Sequence, residues 1–96
     1  MPHRVILSPG AKEDIRSAIR WYVNKQLNLP LRFAADTKTT LRRLARNPYQ
    51  FPLVNHLQRR ALLKRFPYAI YFTVSAGAVL VTAVLHQRRF NLWCKR

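Results

Sequence analysis

The sequence predicts an α+β domain in the order β-α-α-β-β-β, and three observations carry that expectation. Val, Ile, Phe and Tyr alternate along two runs joined by Ser75-Ala76-Gly77, the pattern of a β-hairpin, and residues 59–66 read as a third strand entering it. Ahead of these, two stretches repeat apolar residues at helical rather than strand spacing. Residues 3–8 alternate weakly and read as a short first strand.

Each element has local chemistry behind it. Ser8-Pro9 is a helix start: the serine oxygen can accept from an orphan N–H, and proline at the first helical position sacrifices no hydrogen bond. Glu13 and Asp14 follow early, where negative charge suits the helix dipole. Ala11, Ile15, Ala18, Ile19 and Tyr22 give this helix one apolar face, and it is expected to run to about Gln26. The second helix spans residues 31–46, with Phe33, Ala34, Leu41, Leu44 and Ala45 as its apolar side and Asn47-Pro48 as its stop. Residues 49–58 are a loop. In the hairpin, Tyr68, Ile70, Phe72 and Val74 with Val79, Val81, Ala83 and Leu85 form the expected core face. The opposite set, Ala69, Tyr71 and Thr73 with Leu80, Thr82, Val84 and His86, is neither fully polar nor covered by any other segment of the pattern.

Ninety-six residues make one small domain, residues 1–96, with a globular composition that is 49% hydrophobic. No apolar run approaches the roughly 20 residues of a membrane-spanning helix, so no membrane partner is expected. The start MPHRVILSPG lacks a signal-peptide core, and the one cysteine excludes an internal disulfide; both point to the cytoplasm. Charge is the strongest compositional fact: 18 Lys and Arg against three acids leave +15. Self-repulsion at that density calls for a polyanionic or acidic partner. Lys12, Arg16 and Arg20 on the first helix, and Lys38, Arg42 and Arg46 on the second, form stripes whose plain reading is a solvated face. The tail QRRFNLWCKR interleaves Phe90 and Trp93 with four basic residues, a pattern that suits phosphate contact with base stacking, or simply a pinned tail.

The chemistry on offer is cationic. His3, His56, His86 and Cys94 have no ligand-like spacing, so neither a metal nor any other cofactor is expected. Glu13, Asp14 and Asp36 all fall on predicted helices, away from the strand edges where a carboxylate pair would work. If the core takes Ala61 and Leu63, then Arg60 and Lys64 share the other face with Ala69, Tyr71, Thr82 and His86. Such a cluster could hold an RNA phosphate, with His86 or Tyr71 moving protons; the plainer alternative is a basic edge that discourages strand addition.

The order of elements, Ser8-Pro9, Trp21-Tyr22, Asn47-Pro48 with Phe51-Pro52, RRALLKRFPYAIYF and LHQRR followed by Trp93 together resemble the RelE/ParE superfamily of bacterial type II toxins. The likeness spans essentially the whole chain, and Phe66-Pro67-Tyr68 with His86, Arg88 and Trp93 places it nearer the ParE-like branch. The resemblance implies a helical hairpin packed on a twisted, mainly antiparallel sheet. It also implies a cognate acidic antitoxin in a hetero-oligomer, covering an apolar strip such as Leu62, Tyr71, Leu80 and Val84.

The two branches imply different work. RelE-like toxins cleave mRNA in the ribosomal A site with strand lysines and arginines, whereas ParE-like toxins block DNA gyrase. Alignment on Tyr68 puts Arg60 and Leu62 at the two strand lysines, Ala69 at a strand arginine and Arg88 at another cationic position. Losing two cations from such a site removes on the order of 2–4 kcal/mol of transition-state stabilisation for each. The ParE-like reading therefore leads, with Arg60, Lys64, Arg88, Arg89 and Trp93 as target-binding residues. The alternative is a metal-independent endoribonuclease acting on ribosome and mRNA through Arg60, Lys64, His86 and Arg88; a third is a small basic nucleic-acid-binding protein.

Overall fold

The computed structural model describes residues 2–88. The chain runs β1 (Arg4–Leu7), α1 (Pro9–Val23), α2 (Leu29–Arg46), one 3-10 turn (Pro48–Gln50), β2 (Arg59–Leu62), β3 (Tyr68–Ser75) and β4 (Ala78–His86). One four-stranded sheet results, in the order β1-β4-β3-β2. The β2–β3 and β3–β4 pairs are antiparallel and β1 lies parallel to β4, so the sheet is mainly antiparallel as the resemblance implied. The two helices pack on one face of it.

The start of α1 is as the sequence predicts: Ser8 Oγ accepts from the Ala11 N–H at 3.0 Å, with Pro9 opening the helix. The helix ends at Val23 rather than near Gln26. α2 begins at Leu29 rather than Leu31, because Pro30 in the first turn has no N–H to miss a bond. Neither Glu13 nor Asp14 sits in the first turn of α1. The buried side of α2 is Phe33, Asp36, Thr37, Thr40 and Leu44, while Ala34 is exposed. Two of these polar groups are bonded in the interior: Asp36 Oδ1 and Oδ2 accept the Lys64 and Arg65 N–H groups at 3.3 and 2.8 Å, and the Thr40 hydroxyl donates to the Asp36 carbonyl at 2.9 Å, while the buried Thr37 hydroxyl has no partner among the described residues.

An aromatic group locks the layers together. Phe33 of α2 meets Phe66 and Tyr68 edge-on at 5.4 and 5.0 Å between centroids, and Tyr22 of α1 meets Phe66 edge-on at 5.1 Å. Each such pair adds about 0.5–1.5 kcal/mol beyond the area it buries. Ala61 and Leu63 face this core as expected, but β2 stops at Leu62 instead of reaching residue 66. Residues 63–67 turn away, held by Leu63 N–H to the Tyr68 carbonyl (3.0 Å) and by Asp36.

The sheet departs from simple alternation at one place. Tyr71 pairs with Ala83 and Phe72 with Val81, so Thr82 is an extra, unpaired residue, a β-bulge. One added residue exchanges the faces beyond it. Val79 and Val81 point to the core as expected; after the bulge Val84 does, not Ala83 or Leu85. The first turns of α1 explain why the kink is tolerated. Where β1 ends, the Ser8 N–H takes the Val81 carbonyl (3.0 Å), Ser8 Oγ donates to the Thr82 carbonyl (3.3 Å), and Asp14 Oδ2 accepts the Val84 N–H (3.0 Å). Asp14 thus serves a strand edge, contrary to the expectation that the acids lie away from them.

Candidate target and partner surfaces

Arg60 lies on the outer face of the sheet, paired across the ladder with Tyr71. Its guanidinium donates to Gln87 Oε1 at 3.4 Å, and Gln87 Nε2 donates to the Tyr71 hydroxyl at 3.3 Å. Gln87, set by its own N–H on the Pro67 carbonyl at 2.9 Å, is a member of this cluster that the sequence reading missed; nothing in its residue type announces it. Tyr71 is only 2% exposed, so its phenol is enclosed in that network rather than lining an open strip.

Lys64 is not beside Arg60. It lies beyond the end of β2, in the loop whose backbone Asp36 holds, and lines a cleft of about 300 Å³ with Arg32, Asp36, Thr39 and Arg65 on the α2 side. His86 is displaced as well, because the bulge turns it to the helix side, where its ring meets Tyr68 at 5.2 Å. It lines a second cleft, of about 460 Å³, with Ser17, Trp21, Tyr68 and Arg88. The Arg88 N–H donates to His86 Nδ1 at 3.2 Å. Trp21 is largely exposed, with the Lys25 ammonium 4.1 Å from its ring centroid.

Of the four residues expected to share a nuclease site, Lys64 stands apart against α2, His86 and Arg88 line the cleft on the α1 side, and Arg60 is on the outer sheet face, joined through Gln87 to the segment that carries them. Acid–base cleavage of a phosphodiester needs its proton-transfer group and its charge-stabilising donors within hydrogen-bond reach of one phosphate. Arg89 and Trp93 lie outside the described residues. Among the described residues no group of three His, Cys, Asp or Glu side chains gathers as metal ligands would, and no helix is long and apolar enough to cross a membrane.

The expected apolar strip is also rearranged. Val84 belongs to the core and Tyr71 is enclosed, which leaves Leu62 (52% exposed) and Leu80 (41%) on the outer face. Ile6, paired with Leu80 in the parallel ladder, adds a third exposed apolar side chain; its place between the inward Val5 and Leu7 was the signal available in the sequence.

All three carboxylates are engaged within the molecule. Asp14 and Asp36 accept backbone N–H groups, and Glu13 pairs with Arg20 at 2.7 Å and Arg16 at 3.6 Å. The Arg20 hydrogen bond and then its charge hold the Glu13 carboxyl below the ordinary carboxylate range. The net positive charge is accordingly left for something outside the chain.

Residues 5–90 match the family model described as the ParE toxin of the type II toxin-antitoxin system, parDE. A solved chain from the chromosomal ParDE TA system of P. aeruginosa superposes with a TM-score of 0.78 over 88% of this chain and 95% of that one. The two are 17% identical, so that likeness speaks to the fold. No curated protein sequence matches the chain.

Proposed function

The chain belongs to the ParE toxin family of type II toxin-antitoxin systems, and from that premise we propose that it arrests growth by binding DNA gyrase and is neutralised by a cognate acidic antitoxin. The observation that supports the gyrase reading is that Lys64 lies against α2, away from Arg60, while His86 is turned to the helix side of the sheet and Arg60 stays on the outer face. Where RelE-like toxins place cations, Leu62 is apolar and Ala69 is fully buried, so neither offers a charge to a phosphate. A protein built this way acts by gripping a macromolecule. Arg60, Lys64 and Arg88, with Arg89 and Trp93 of the tail, are the target-binding residues of this reading.

The antitoxin is the partner that offsets +15 and covers Leu62, Leu80 and Ile6 on the outer sheet face. Toxin and antitoxin form a hetero-oligomer in the cytoplasm, and residues 1–96 act as one toxin domain. Adding the purified chain to gyrase is expected to inhibit supercoiling or trap cleavage complexes, and stoichiometric antitoxin is expected to restore activity. Unaltered gyrase at growth-arresting doses, together with codon-phased cuts in transcripts on translating ribosomes, would overturn the reading in favour of the endoribonuclease.

A further inference from the structure

We propose that the solvent side of α2 is a track for the phosphate backbone of duplex DNA. Arg32, Ala35, Thr39, Arg42 and Arg46 follow one another at alternating spacings of three and four, which sets them in a line along one side of the helix. Two shallow clefts flank this line. One is lined by Arg32, Lys64 and Arg65, the other by Arg42, Arg43 and Arg46, and Thr39 belongs to both, so they are continuous. Five of these cations are exposed; Arg43 is half-buried, its guanidinium 5.2 Å over the Phe51 ring.

Among the described residues no ion pair forms along the row. The one carboxylate there, Asp36, has both oxygens on the Lys64 and Arg65 backbone N–H groups. Among the described residues the ion pairs all use Glu13, on α1. At about 1.5 Å of rise per residue the line from Arg32 to Arg46 extends roughly 20 Å, which is about six base pairs of duplex axis.

The composition of the row selects the polymer. Single strands are gripped by aromatic platforms on which bases stack, and among the described residues no aromatic side chain lines either cleft. A-form RNA is recognised largely through its 2′-hydroxyls, and the row offers one hydroxyl, Thr39, among six cations. Guanidinium and ammonium groups on a straight, rigid support suit the regular phosphates of a DNA duplex without reading its sequence. Because α2 packs on the opposite side of the sheet from Leu62 and Leu80, an antitoxin on the outer face leaves the track open. The inference stands whether or not gyrase is the target.

The test is fluorescence anisotropy of the full chain with a labelled mixed-sequence DNA duplex across a salt series. The triple variant Arg32→Gln, Arg42→Gln, Arg46→Gln is compared with Lys12→Gln, Arg16→Gln, Arg20→Gln, which removes the same charge from α1. The α2 triple is expected to weaken binding more than about tenfold and to make the slope of log K against log salt shallower by about 2.7. The α1 triple is expected to leave that slope essentially unchanged. Equal losses in the two triples would reduce the effect to net charge and overturn the proposal, as would an α2 triple that binds like the parent. Tighter binding of polyglutamate, of a single strand or of an RNA duplex than of the DNA would overturn it as well. If circular dichroism shows the α2 triple unfolded, Lys64→Gln with Arg65→Gln reads the same track, with an expected slope change of about 1.8.

Discussion

Asp36 shows at the scale of one residue how a carboxylate can be structural in a chain of such positive charge. It is 8% exposed, and its two oxygens hold the backbone of the loop that carries Lys64 and Arg65. Asp36→Ala removes two charge-assisted hydrogen bonds and is expected to cost about 2–3 kcal/mol in urea unfolding. Asp36→Asn keeps one acceptor and is expected to cost roughly half as much. A variant as stable as the parent would show that the loop is held by something else. The same residue marks a limit of pattern reading. A search for apolar periodicity picks Ala34 for the buried side of α2, because it has no means of seeing that a bonded Asp and two Thr lie inside.

Among the elements, the bulge at Thr82 and the turn at Ala76-Gly77 set the geometry of the hairpin. Beyond the bulge Val84 is 2% exposed and in the core, while Leu85 is half-buried on the other face. Val84→Ala is therefore expected to cost about 2 kcal/mol and Leu85→Ala about 1 or less, the reverse of what unbroken alternation requires. Chemical denaturation of the two variants decides between them. At the turn, Ala76 and Gly77 both have positive φ, 43° and 78°, the two-residue arrangement that favours Asn-Gly. Ala76→Asn is expected to stabilise by about 0.5–1 kcal/mol, and Gly77→Ala to destabilise by about 1–2. Among the described residues no atom beyond its chain neighbours lies within 4 Å of where a Cβ at Gly77 would sit, so the cost there is conformational and not steric.

Across the whole molecule the governing quantity is charge against cover. Two acids are bonded to backbone and the third is paired on α1, so the +15 has to be met from outside. If an antitoxin covers the outer sheet face, Leu62→Glu with Leu80→Glu is expected to weaken its binding at least about tenfold, since two acidic groups would replace apolar contacts and repel an acidic partner. The thermal midpoint should hardly move, because both side chains are already exposed. Calorimetric titration with the antitoxin measures the first and a melting curve the second; unchanged affinity would place the antitoxin elsewhere.

The order of the elements, the cap at Ser8, the core role of Ala61 and Leu63 and the outward basic stripes were all legible from the chain, because each follows from neighbours a few residues apart. The family signature was legible for the same reason: it lies in the succession of local motifs. The companions of each candidate residue were not. Whether Val84 faces in or out depends on one unpaired residue, and that residue is tolerated because Ser8 and Asp14, about 70 positions earlier, bond the kinked strand. Likewise Lys64 parts from Arg60 because Asp36 draws the loop toward α2. Periodicity records which way a side chain points relative to its neighbours in the chain; contacts between distant segments decide where the count restarts, and so which cations share a surface.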